Sequence, residues 1–168
     1  TVWRDWKKYM KADEKKYFPM FVDLTQKKVT VIGAGNIAKR RIETLLSFAG
    51  TIEVIAPDAC ERIKELAKEG RLVWKEKEYD REDLYDADLV LSATNNEKVN
   101  NDVYSACKCL GISVNTASNR MKCDFYFPSI LQKEETVIGL NSAGNPAKTK
   151  NVRKEMQKWI EEAGEKHE

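Results

Sequence analysis

Two rhythms of hydrophobic and polar positions alternate along this chain. A β-branched run from Lys28 to Ile32 ends at Gly33, after which Ile37, Arg41, Leu45 and Phe48 recur every three or four residues. The first rhythm predicts a buried strand and the second a helix. The pair then repeats. Ile52 to Ala56 predicts a strand closed by Pro57, and Asp58 with Glu61 three residues on forms a capping-box signature for a helix ending near Gly70. Leu72 to Trp74 predicts a third strand, Arg81 to Tyr85 a short helical crossover, and Asp88 to Ala93 a fourth strand. A helix over Glu97 to Leu110 and a strand over Ile112 to Asn115 complete the series. Such alternation predicts an α/β fold built on a doubly wound parallel sheet.

The alternation stops after the fifth strand. Phe125 to Leu131 and Thr136 to Leu140 are extended runs around the polar turn Gln132 to Glu135, which predicts a β-hairpin. A last helix follows Pro146, with Val152, Met156, Trp159 and Ile160 on one side. At the other end, Trp3, Trp6, Tyr9 and Met10 are spaced as on an amphipathic helix that Pro19 breaks. The expected division is a helical extension over 1–18, a nucleotide-binding unit over 19–120, and a hairpin with helix over 121–168.

Composition narrows the chemistry. Among 168 residues, 29 Lys and Arg face 27 Asp and Glu, a net charge of +2 that gives no bias toward nucleic acid or membrane. No apolar run approaches the roughly 18 residues a membrane span needs, and the first residues lack the order of a signal peptide, so a cytoplasmic protein is expected. Cys60, Cys107, Cys109 and Cys123 have no zinc-site spacing and read as free thiols, and the single histidine, His167, sits in a polar tail. No metal site is expected.

One motif does point to a ligand. Gly33-Ala34-Gly35-Asn36-Ile37-Ala38 places G-x-G-x-x-A between a strand and a helix, the context a Rossmann-like dinucleotide site requires. Gly33 permits the tight turn, Gly35 admits a pyrophosphate close to the backbone, and Ala38 allows close helix-strand packing. Asp58, after the second strand, is placed either to bind the adenosine ribose or to cap the following helix. No arginine stands beside it in sequence to receive a 2′-phosphate, which favours NAD over NADP. Thr94 and Asn95, after the fourth strand, could bond the cofactor or serve as turn and cap residues.

Taken in order, these segments resemble the precorrin-2 dehydrogenase family, also called the siroheme synthase N-terminal domain. The resemblance runs from about Tyr17 to Trp159. It is carried by Phe18-Pro19-Met20-Phe21-Val22-Asp23-Leu24, the glycine turn with Lys39-Arg40-Arg41, and Val54-Ile55-Ala56-Pro57. It continues through Ala93-Thr94-Asn95-Asn96 with Val99-Asn100, then Val114-Asn115, Phe127-Pro128-Ser129-Ile130 and Asn141-Ser142-Ala143-Gly144. The resemblance implies NAD-dependent oxidation of precorrin-2 to sirohydrochlorin in siroheme biosynthesis, with iron insertion in some members. It also implies that Asn36, Ile37, Pro57 and Asp58 line the adenosine side, that Ser142 lies near the tetrapyrrole, and that the hairpin joins two copies in a homodimer. A polycarboxylate macrocycle needs cations, and Arg40, Arg41, Arg120, Lys122 and Arg153 are candidates by position or else ordinary solvated charges.

Two departures bear on activity. Where the family carries an aspartate after the fifth strand, this chain has Ser118, a poor general base without a partner to take its proton. Asp124, six residues on, is a candidate replacement. The turn Gly144-Asn145-Pro146 is one residue shorter than the family's, and the sequence ends after one helix where relatives carry a further helical region, which argues against chelation. An NAD-dependent dehydrogenase is therefore the first expectation. A catalytically idle nucleotide- or tetrapyrrole-binding partner module is the second, and an NAD-sensing regulatory domain a third that the Phe-Pro-Ser-Ile hairpin does not fit.

Overall fold

The computed structural model describes residues 17–164. Five parallel strands, β1 (Lys28–Ile32), β2 (Thr51–Ala56), β3 (Val73–Glu76), β4 (Leu89–Ser92) and β5 (Ser113–Thr116), are ordered β3-β2-β1-β4-β5. The strand order reverses between β1 and β4, the place where open α/β sheets bind ligands. Helices α1 (Asn36–Leu45) and α2 (Glu61–Lys68) cover one face. Helix α3 (Glu97–Leu110) and a 3₁₀ turn over Arg81–Leu84 cover the other. The central strands β1, β2 and β4 are therefore apolar almost throughout, as strands buried on both sides must be.

Local chemistry explains each helix. Ala38, Ile42 and Leu45 recur at helical spacing on α1 and are buried against Val29, Val31 and Val54. Ile42, Ile63 and Leu66 are wholly enclosed, each stabilising the fold by about 1.5–3 kcal/mol through removal from water. The expected extension of α1 to Phe48 does not occur, because the amides of Phe48 and Ala49 both turn back to the Leu45 carbonyl. Helix α3 starts at Asn96, whose side chain accepts from the amides of Lys98 and Val99, and ends on Gly111 in the left-handed region (φ 71°).

Beyond β5 the chain departs from expectation. Ser129–Lys133 (β6) pairs antiparallel with Thr136–Leu140 (β7), four residues later than the run from Phe125 suggested. Pro128 cannot join a ladder through its nitrogen, and Phe125 and Phe127 pack instead on the α1-side core. The turn is only Glu134-Glu135, with Glu134 at φ 52°. A second 3₁₀ turn, Arg120–Lys122, was not expected. Helix α4 (Pro146–Gly164) begins with proline at its first position, and the Asn145 side chain accepts from the Lys148 amide at 3.1 Å. Val152, Met156 and Ile160 are half-buried, but Trp159 leaves that stripe and is 62% exposed. The amphipathic helix expected from Trp3 to Met10, and His167, lie outside the described residues; Tyr17 and Phe18 are not helical.

Candidate dinucleotide site

The two glycines of the turn do different work. Gly33 leaves β1 at φ 100°, its amide donating to the Ile55 carbonyl at 2.9 Å. A Cβ there would lie 2.7 Å from the Ala93 carbonyl oxygen and 3.0 Å from the Thr94 nitrogen, so the fold itself requires glycine. Gly35 precedes α1, and a Cβ on it would meet nothing within 4 Å. That empty cradle lies at a helix start with no side-chain cap and no acid in its first turn, leaving unshared N–H groups and partial positive charge. Asn36 and Ile37 are exposed beside it, while Ala38 is fully buried. Open space, free donors and positive potential together fit a pyrophosphate.

At the end of β2 the capping-box expectation is corrected. Cys60, not Asp58, occupies the cap position of α2, with no side-chain cap bond, because the helix starts at Glu61, three residues after Asp58. Pro57 and Asp58 stand exposed. Asp58 Oδ1 pairs with Lys64 Nζ at 3.0 Å, and that ammonium holds the carboxyl below its ordinary range. Lys64 rests 5.9 Å over the Trp74 ring, whose Nε1 donates to the Ala56 carbonyl at 3.0 Å. Nothing in the sequence announced Lys64, six residues from its partner.

At the other side of the switch point Asn100 is the organising side chain. Its Oδ1 accepts from Ser92 Oγ at 2.7 Å and from Thr94 Oγ1 at 2.9 Å. Its Nδ2 donates to the Thr94 carbonyl at 3.0 Å and to Ser118 Oγ at 3.2 Å. One buried amide thus ties the exits of β4 and β5 together. Thr94 also accepts from the Asn96 amide at 3.0 Å, so its hydroxyl is engaged in the turn. Asn95 is exposed with no hydrogen bond among the described residues. No motif in the sequence marks Asn100 as a site residue. The signal was a polar residue on the stripe shared with Val103, Ala106 and Cys107.

Asp124 does not join Ser118. It crosses to Val114, whose amide donates to its Oδ2 at 3.0 Å, and its Oδ1 pairs with Lys108. Ser142 is half-buried on a separate element, its amide donating to Thr149 Oγ1 at 3.1 Å at the head of α4. The candidate cations are likewise dispersed. Lys122 reaches Asn101 on α3 and Arg153 bonds Gln157 at 3.2 Å, while Arg40 and Arg120 are exposed. Arg41 lies 5.4 Å over the Phe127 ring with Nη1 buried and without a hydrogen-bond partner among the described residues, and burial lowers its pKa. Among the described residues no group of His, Cys, Asp or Glu could hold a metal ion, and no helix is long and apolar enough to cross a membrane.

Comparison with known proteins agrees with this geometry. A family model described as "Putative NAD(P)-binding" matches residues 20–129. The siroheme synthase of Pseudoalteromonas atlantica is 35% identical over 145 residues, covering 86% of this chain and 31% of that protein. The siroheme synthase of Buchnera aphidicola subsp. Acyrthosiphon pisum is 35% identical over 128 residues, covering 76% and 27%. The chain therefore spans under a third of the length of these curated relatives. A solved structure of SirC, a precorrin-2 dehydrogenase, superposes with a TM-score of 0.69 at 26% identity, covering 84% of this chain and 70% of that one.

Proposed function

This chain belongs to the NAD(P)-binding family, with siroheme synthases and a precorrin-2 dehydrogenase among its relatives, and from that premise we propose that it oxidises precorrin-2 to sirohydrochlorin with NAD. The carrying observation is the open cradle over Gly35 at the start of α1, set at the switch point of the sheet. Oxidation removes a hydride and a proton from the substrate, and a bound nicotinamide supplies the hydride acceptor. The residues supply the rest. Gly33, Gly35, Asn36 and Ile37 seat the dinucleotide, Pro57 and Asp58 flank its adenosine end, and Asn95 is free to bond it beside the β4 exit, which Thr94 shapes.

Proton removal falls to the neighbourhood of Ser118. Its oxygen already accepts from Asn100 and no base among the described residues bonds to it, so the proton leaves to water beside it. Asp124 is tied to Lys108 and Val114 and serves the fold; Ser142 is the candidate tetrapyrrole contact. The hairpin is the candidate site for a second copy, since Ile130, Val137 and Ile138 stay half-buried although α4 packs on β6 and β7.

The test is anaerobic incubation with precorrin-2 and NAD, following sirohydrochlorin and NADH absorbance together. Matched growth of both supports the dehydrogenase; NAD binding without turnover overturns it. The serine at position 118 favours a second reading, a catalytically idle binding module of the same pathway. Ser118→Asp separates the two: a rise in turnover of about 10²-fold or more, the scale of a positioned general base, marks an idle relative. An unchanged rate in an active chain marks water as the acceptor.

A further inference from the structure

The corner formed by Pro57, Asp58, Lys64 and Trp74 carries an inference that rests on the cofactor reading above. Asp58 is 84% exposed on its side chain and Lys64 31%, so the lysine is the better anchored partner, held from below by the Trp74 ring. The same ring is fixed to the last carbonyl of β2. Lys64 also approaches Glu61 at 3.6 Å. Two carboxylates therefore face one ammonium, and the corner is net negative beside the place where the adenosine ribose of a dinucleotide on the Gly35 cradle would lie.

We propose that Lys64 is the positioning residue for cofactor choice. It holds the Asp58 carboxylate in place at the end of β2 through the 3.0 Å pair, where the carboxylate accepts from the ribose 2′-hydroxyl of NAD. A 2′-phosphate is refused while the Asp58 carboxylate stands there, whether or not the ammonium is present. Asp58 supplies the repulsion, and Lys64 is a latent phosphate partner that becomes available when the carboxylate is removed. Once Asp58 is removed, the lysine would do through space what a neighbouring arginine does in chains that accept NADP.

Titration calorimetry with NAD and with NADP tests this without any turnover. The unaltered chain is expected to prefer NAD by about tenfold or more, the scale of one charge-assisted contact. Asp58→Ser, an exposed substitution that leaves the core intact, is expected to reverse the ratio. Asp58→Ser with Lys64→Met is expected to lose the NADP gain, and Lys64→Arg in the Asp58→Ser background to keep it. Lys64→Met alone is expected to weaken NAD several-fold without gaining NADP. An unchanged ratio in Asp58→Ser, with both dinucleotides still bound, overturns this proposal and leaves the cofactor site standing. Failure of the unaltered, folded chain to bind either dinucleotide overturns both.

Discussion

At the scale of single residues, the two glycines of one motif separate folding from binding. Gly33→Ala drives a methyl into the backbone of Ala93 at a positive φ, and is expected to destabilise by about 1–3 kcal/mol, the cost of a strained backbone position. Gly35→Ala meets no atom of the protein, so thermal unfolding is expected to hold while NAD binding falls at least tenfold as the methyl occupies the cradle. Urea or thermal midpoints beside calorimetric titration check both; equal binding losses with equal destabilisation would refute the division. The glycines were legible because the motif and its strand-helix context state a backbone requirement. Asp58 was less so, since D-x-x-E is satisfied equally by a cap and by a free acid, and only the helix start at Glu61 decides. Asn100 acts through Ser118, brought close by the sheet, and Lys64 through Asp58 across the turn into α2, a pairing that no cap or helix-face spacing encodes.

At the scale of elements, the pattern placed the seven strands and four α-helices of the described residues, and its errors there fall where turns rather than faces set the boundary. β6 begins four residues late because Pro128 breaks the ladder and Phe125 and Phe127 find the core instead. The crossover between β3 and β4 shows a boundary device the sequence did hold. Asp80 accepts from the Glu82 amide at 2.9 Å, and Asp83 accepts from the Asp80 amide at 2.9 Å, a reciprocal box that closes the 3₁₀ turn. It seats Leu84, which is wholly buried in the α3-side core. Asp80→Ala is expected to cost about 1 kcal/mol, the usual worth of such a cap. At this chain length the midpoint falls by roughly 2–4 °C. Thermal unfolding followed by circular dichroism measures it, and a loss near zero would mean that Asp83 alone holds the turn.

At the scale of the whole molecule, a cluster of ion pairs lies at the sheet edge opposite the glycine turn. Ion pairs gather where the strands begin: Lys28 reaches Glu53 at 2.9 Å and Asp86 at 2.8 Å, and Lys27 reaches Asp88 at 2.7 Å. The ligand-facing edge, where the strands end, carries backbone donors and small polar side chains, with the Asp58–Lys64 pair as a charged corner after β2. Asp86 and Asp88 are held below the ordinary carboxylate range by these lysines, and Asp102 by Arg81, whose Nε lies 3.0 Å away. A depressed folded-state pKa means that the unfolded chain binds more protons as the solution acidifies through its own value near about 3.9. The stabilisation is therefore complete above that value and disappears as pH falls through the lower folded values. Asp102→Asn isolates one such group, because it mimics the protonated acid and leaves Arg81 and Tyr79 in place. Its urea midpoint is expected to lie below the parent's by a constant gap from neutral pH down to about pH 5, with the gap closing below about pH 4. A gap of the same size at all pH values would mean that packing between the crossover and α3, rather than the Asp102 charge, stabilises this side of the sheet.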